Sequence, residues 1–334
     1  MDLSKSQDTT KQPNGATGLL NPQPYLLHRS TAPAYWLAET LWLIMSTGMQ
    51  TGNRLSFMDQ LMTGGLGPPT HRHPFTSEGF YVLEGNCSFN ANGETATVGT
   101  GTLVHLPKGL PHSFSVNTEE ARVVNFYTPA SFEPIVMSCA RLADERRRPT
   151  IQESAPPENR EQLNILSALF GQEAVTALPF AQPSTPELMK TTPAGPDIGL
   201  PKVLNVDDAP SFEIIGQTWK LLATPNETEG HYDLLEVTAP PDTGLPPHTA
   251  AQDTAMYVTK GTLAIEVGEK AEQAGVGSFV YVPAGTPLQW QAKDSEARML
   301  VFHLPGVFDS GSVDTDYNDA SASAYLLKVG IQFI

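Results

Sequence analysis

The chain repeats itself, and that repeat limits its fold more than any other feature. Ala32-Pro33 recurs as Ala209-Pro210, Trp42 as Trp219, Thr47 as Thr224, and Pro68-Pro69-Thr70-His71 as Leu245-Pro246-Pro247-His248, all at one constant spacing. One residue is then dropped, and Gly85, Gly101, Pro107 and Gly109 recur as Gly261, Gly277, Pro283 and Gly285. A match held over this length implies two domains of one fold within a chain of 334 residues.

Each unit reads as a series of short strands. Gly79 to Leu83, Cys87 to Phe89, Thr102 to Leu106, Ser113 to Val116 and Arg122 to Phe126 alternate or are rich in β-branched and aromatic residues. Ala255 to Thr259, Thr262 to Val267, Ser278 to Val282 and Arg298 to Phe302 repeat them. Asn92-Gly93, between two such runs, is a hairpin signal. The 27 glycines and 29 prolines favour a turn-rich all-β protein over a helical bundle. Closing the strands into barrels removes their free edges. The expected organisation is a mobile tail over 1–20, a first barrel over 21–149, a linker over 150–200 and a second barrel over 201–334. In and near the linker, Ala140 to Arg148 is charged and predicts a helix, Ala155 to Asn159 a loop and Arg160 to Leu169 a second helix. Pro179 to Pro201, rich in Pro, Gly and Thr, predicts a draped loop.

A net charge of -16 argues against binding nucleic acid or an anionic membrane, and the one dense basic run, Arg146 to Arg148, is flanked by Asp144 and Glu145. Two cysteines, Cys87 and Cys139, do not staple a chain this long. The polar start, Met1 to Asn14, carries no apolar signal segment, and no run reaches the roughly 18 apolar residues of a membrane span. The expectation is a soluble cytoplasmic protein.

The chemistry concentrates in the first unit. His71 and His73 lie two apart and so share one side of a strand, here the barrel interior. Glu78 opens the following strand, and His112 begins another after the turn at Pro107-Lys108-Gly109. Three imidazoles and a carboxylate converging from neighbouring strands suit one divalent transition metal: iron, nickel, cobalt, manganese, copper or zinc. Phe57, Met58, Met62, Phe80, Phe114 and Phe126 are expected to line the pocket around it, and Phe75 joins Met62, Phe80 and Phe114 as an expected substrate contact. His105 is expected to pack structurally. In the second unit His248 survives, but Ala250, Thr254 and Leu288 stand where His73, Glu78 and His112 stand in the first. That barrel is expected to hold no metal.

Two sequence motifs carry a resemblance. Gly65, His71, His73, Glu78 and Gly85 form the first, and Gly101, Pro107, Gly109 and His112 the second. The chain resembles a bicupin, and the resemblance implies two tandem double-stranded β-helix (jelly-roll) barrels. The family's trailing Asn would fall at Val116, whereas Asn117 lies one later. Ala34-Tyr35-Trp36, the Gly-Pro-Pro lead into the histidines and Glu78 to Gly85 are similar to quercetin 2,3-dioxygenase-like bicupins. That likeness implies metal ligation by His71, His73, Glu78 and His112, with Glu78 also the catalytic base. It implies cleavage of a flavonol or related enol-bearing aromatic with dioxygen, releasing carbon monoxide, and no organic cofactor. The alternative is a non-oxidative isomerase, lyase or cyclase of secondary metabolism acting on an enolisable aromatic or polyketide. A homodimer is the assembly expected of such a chain.

Overall fold

A computed structural model describes residues 21–91, 93–150, 152–153, 160–175, 199–308, 326–327 and 329–334. The expected tail over 1–20 and most of the predicted loop over 179–201 lie outside the described residues. In chain order the first half contributes β1 (Tyr25–His28), β2 (Ala34–Leu37), β3 (Thr40–Ser46), β4 (Ser56–Thr63), β5 (His71–Arg72), β6 (Ser77–Glu84), β7 (Asn86–Ala91), β8 (Glu94–Gly99), β9 (Thr102–Leu106), β10 (His112–Val116) and β11 (Glu120–Thr128). Then follow α1 (Glu133–Cys139), β12 (Arg141–Leu142), α2 (Arg160–Leu169), β13 (Glu173–Ala174) and β14 (Lys202–Asn205).

The first barrel is two sheets face to face. One runs β12-β2-β3-β4-β11-β6-β9-β14 and the other β13-β5-β10-β7-β8. Alternation puts Met62, Phe80, Val82, Phe89, Val104, Val116 and Val123 between the sheets as one apolar core. The second half repeats the design with a seven-stranded and a five-stranded sheet. Together they make a tandem all-β fold of two barrels. Gly93, at φ +79°, sits in the hairpin between β7 and β8, whose register pairs Ala91 with Glu94. Asn92 lies outside the described residues.

The two barrels exchange strands reciprocally. β1 pairs with Ser278–Val282 of the second barrel, Tyr25 opposite Tyr281 and His28 opposite Ser278. Its sequence equivalent, β14, pairs with β9 of the first barrel, Lys202 opposite His105 and Asn205 opposite Thr102. Each barrel thus completes its larger sheet with a strand that precedes the other in the chain. The large sheets also pack on one another about a pseudo-two-fold axis. Phe126 meets Phe302, its own counterpart, at 5.0 Å between ring centroids. Tyr257 donates to Asp59 at 2.6 Å, and the counterpart Tyr81 donates to Glu236 at 2.6 Å. Such self-matching contacts are the mark of an isologous interface, here held inside one chain.

Two sequence expectations need correction. The helix predicted over 140–148 is absent, and the helix in this region is α1, just before it. Glu133 and Pro134 occupy its first turn, where an acidic side chain and a missing N–H are both tolerated. Residues 141–148 are drawn out along Trp36 instead. Arg141 pairs with Trp36 in the sheet, Trp36 Nε1 donates to the Arg147 carbonyl at 3.1 Å, and the Arg147 guanidinium lies 4.9 Å from the indole ring. That aromatic platform outweighs local helix propensity. The second correction concerns Phe57 and Phe126 and follows from the site.

Candidate metal centre

His71 on β5 lies directly opposite His112 on β10, so their side chains share a face at short range. Glu78 reaches in from β6 of the facing sheet, and His73 lies just beyond β5. One ligand atom from each of the four falls within 4.8 Å of the others, and all four residues are buried. The structure therefore brings the predicted set together as a buried metal-binding site of three histidines and a glutamate.

The ring orientations are fixed. His71 Nδ1 donates to the Pro69 carbonyl at 2.9 Å and His112 Nδ1 to the Leu110 carbonyl at 2.7 Å. A carbonyl only accepts, so each ring carries its proton on Nδ1 and turns a bare Nε2 inward. Burial, and next the neighbouring His112, lowers the His71 pKa to about 4, which keeps that ring neutral. Both ring nitrogens of His73 are buried without a hydrogen-bond partner. Glu78 Oε2 lies 2.9 Å from His112 Nε2, 3.3 Å from His73 Nε2 and 4.0 Å from His71 Nε2. Burial alone would raise the Glu78 carboxyl, but hydrogen bonding and positive charge at His112 and His73, through a shared proton or a cation in its place, hold it well below the usual carboxylate range. Bare imidazole nitrogens facing a carboxylate repel unless a cation or proton lies between them. The orphaned His73 nitrogens and the mixed N and O donor set thus fit a divalent transition metal.

The other oxygen of Glu78 is occupied by protein. Oε1 accepts from the Tyr127 hydroxyl and from Asn125 Nδ2 at 3.0 Å. Asn125 is held in turn by Gln60 Nε2, which donates to its Oδ1 at 3.0 Å. Burial and the adjacent Glu78 charge push the Tyr127 hydroxyl well above its ordinary value, so it stays a donor. Gln60, Asn125 and Tyr127 did not emerge from the motifs. Their signal was available: Asn125 and Tyr127 stand at alternate positions beside the apolar Val123, Val124 and Phe126 of one strand.

That alternation also corrects the pocket lining. Since Asn125 and Tyr127 face Glu78, Phe126 between them faces the other way, and Phe57, its register partner on β4, shares that face. Both pack in the interface between the barrels, Phe57 against Tyr257 and Phe279, and Phe126 against Tyr232 and Phe302. Phe80 and Phe114 follow Glu78 and His112 at strand period. With Phe89 they form a triangle of rings 5.0 to 5.4 Å apart, adjoined by Met62. Phe75 is 73% exposed, in the loop between β5 and β6, against the turn at Gly171. On the other side of the histidines is an apolar group not foreseen as a whole: Leu37, Ile44, Met58, Tyr127 and Val136, with Tyr35, Trp42 and Phe132 packed on it. Phe132 stacks on Tyr127 at 5.6 Å and lies 6.4 Å from His73. It holds φ at +67°, a strained value for a bulky residue. His105 faces the second barrel, its Nδ1 2.8 Å from the Tyr232 hydroxyl.

In the second barrel, His248, Ala250, Thr254 and Leu288 line one small cavity of about 20 Å³, together with Trp219, Met256, Val301 and His303. Sequence reasoning missed His303, which occupies the place of Tyr127 and is tied to Asp233 at 2.7 Å. Even with it, the cavity lacks a carboxylate ligand. Among the described residues, no other cluster of three or more metal-ligating His, Cys, Asp or Glu side chains is present.

Comparison with known proteins agrees with this geometry. The cupin domain family matches residues 57–127 and 235–303, one match in each barrel. Quercetin 2,3-dioxygenase of Bacillus subtilis is 24% identical over 86% of this chain and 84% of its own length. Quercetin 2,3-dioxygenase of Aspergillus japonicus is 21% identical over 89% of this chain and 91% of its own. Among solved structures, an oxalate decarboxylase of Bacillus subtilis superposes with a TM-score of 0.58 at 17% identity, covering 92% of this chain and 84% of that one. The last likeness speaks for the fold alone. No described helix is long and apolar enough to cross a membrane.

Proposed function

We propose that this chain, a bicupin that resembles the quercetin 2,3-dioxygenases and is built as a metal-dependent cupin enzyme, cleaves a flavonol or related enol-bearing aromatic with dioxygen. The observation that carries the reading is Glu78: a buried carboxylate with one oxygen clasped by protein and the other turned among three histidines. His71, His73, Glu78 and His112 would hold one divalent transition metal, with iron, nickel, cobalt, manganese, copper and zinc all chemically admissible. Such a cation, when bound, supplies a Lewis acid for the oxygen of an enol.

The remaining tasks belong to the chain's own residues. Glu78 Oε2, the oxygen turned among the histidines, would also accept the proton of the enol hydroxyl. The Phe80, Phe89 and Phe114 triangle with Met62 is packed core, and its edge at Phe80 and Phe114 would bound a flat substrate on one side. Tyr127, Phe132 and Trp42 wall it on the other, and both groups exclude water. Exposed Phe75 would meet only the outer part of a substrate.

Oxygen uptake with quercetin, in protein of known metal content, tests the proposal. Uptake that matches substrate loss supports the dioxygenase. Turnover that continues at full rate without oxygen contradicts it and favours the non-oxidative isomerase, lyase or cyclase, because proton abstraction by Glu78 needs no oxygen.

A further inference from the structure

Four side chains gather at the metal centre, but the geometry of one of them is set by neighbours that are not themselves candidate ligands. We infer that Tyr127 and Asn125, with Gln60 behind Asn125, are positioning residues that make Glu78 a one-oxygen ligand. The inference rests on the reading of His71, His73, Glu78 and His112 as a metal site.

A carboxylate can bind a cation through one oxygen or both. Glu78 Oε1 already accepts two hydrogen bonds, from the Tyr127 hydroxyl and from Asn125 Nδ2 at 3.0 Å. These satisfy its in-plane lone pairs. Neither donor is free to turn away. The Asn125 amide also donates to the Gly79 carbonyl at 3.2 Å and accepts from Gln60 at 3.0 Å, so its orientation is forced by acceptors on one side and a donor on the other. The Tyr127 ring is stacked on Phe132 at 5.6 Å and set edge-on to His73 at 5.2 Å. Gln60, Asn125 and Tyr127 are all buried. Swinging Oε1 toward a cation would break both bonds and leave buried donors unpaired. Oε2 alone is left for the histidine cluster.

The second barrel supplies an internal contrast. Val237, Val301 and His303 stand where Gln60, Asn125 and Tyr127 stand in the first, and Thr254 stands for Glu78. The clasp is absent from the barrel that has no carboxylate to clasp. Holding Glu78 to one oxygen would limit the protein to four donor atoms, one each from His71, His73, Glu78 and His112.

The test is a Co(II) titration, followed by the visible absorption of the bound ion, on the wild-type chain and on Tyr127→Phe, Asn125→Leu and Gln60→Leu. Wild type should bind one Co(II). Tyr127→Phe and Asn125→Leu should bind it roughly tenfold to a hundredfold more weakly, with altered band intensities as the carboxylate changes its mode. Gln60→Leu should shift both readings in the same direction by less. If Asn125→Leu does not fold, Tyr127→Phe, which removes one hydroxyl, decides alone. Wild-type affinity and spectrum in the folded variants, even with a lowered melting temperature, would mean a structural role only and overturn the inference. Failure of wild type to bind Co(II) would instead overturn the metal reading beneath it.

Discussion

Glu78 divides its work between two oxygens, and its replacement touches both binding and chemistry. In Glu78→Gln the two donors hold the amide oxygen and leave an NH2 toward the histidines, so both a ligand and the proton acceptor are lost. Metal affinity should fall, and at restored metal occupancy, checked by elemental analysis, turnover should still be lower by about 10²–10⁴. Turnover within a few-fold of wild type at equal metal content would remove Glu78 from the chemistry. His105 offers a prediction independent of the site. Burial lowers its pKa from 6.5 to about 4. The unfolded chain therefore binds its proton first as pH falls, and stability declines from about pH 6.5 down to about pH 4, by up to about 3 kcal/mol at the lower end. Urea unfolding across that window should show the decline, and His105→Gln should flatten it. The cluster of His71, His73, Glu78 and His112 was legible in the sequence because a metal site imposes spacing: two histidines at strand period, a carboxylate on the next strand and a histidine after a turn. Gln60, Asn125 and Tyr127 were not, because a hydrogen-bond partner can come from any neighbouring strand and leaves no fixed interval.

A single strand shows how element and site are coupled. β11 turns Asn125 and Tyr127 toward Glu78 and Phe126 toward the other barrel, so adjacent substitutions should separate cleanly. Phe126→Ala opens a cavity among Phe57, Tyr232 and Phe302 and should cost about 3–5 kcal/mol in urea unfolding. The folded fraction should keep wild-type Co(II) affinity; a matching loss of affinity would mean that the two faces are not independent. Strand positions followed from alternation and β-branched content, and Thr102–Leu106, Thr262–Val267 and Ser278–Val282 were read to the residue. The face of a strand was harder to read. Before residue 65 no ligand anchors the parity, and apolar residues such as Phe57 look alike whether they line a pocket or an interface. The stretch 141–148 was misread because charge suggests a helix, whereas the deciding partner, Trp36, lies far away in sequence.

At the scale of the molecule, the duplication is what makes the interface. Two equivalent large sheets meet about a pseudo-two-fold axis, each completed by a strand that precedes its twin. The repeat was plain in the sequence, and it implied two barrels; their reciprocal strand exchange was not legible, since β1 and β14 carry no mark of which sheet they join. Strands shared in both directions should make unfolding one cooperative event. Calorimetry should give one transition for both barrels, and two well-separated transitions would contradict the shared construction. Asp59 is central to the seam: buried, it pairs with Arg29 at 3.0 Å and Arg122 at 2.8 Å and accepts from Tyr257. Asp59→Ala should lower that single transition, at a cost of about 3 kcal/mol, because Arg29 loses its carboxylate and the mostly buried Arg122 keeps only the more distant Glu84 at 3.6 Å. The central claim, however, is an asymmetry within this symmetry: equivalent barrels, with a metal in the first alone. Elemental analysis of the chain after reconstitution with divalent metals and removal of excess ion, beside His112→Ala and His248→Ala, tests it most directly. One ion per chain is expected in wild type and His248→Ala, with a marked loss in His112→Ala. Two ions per chain, none, or a loss that follows His248 would contradict it.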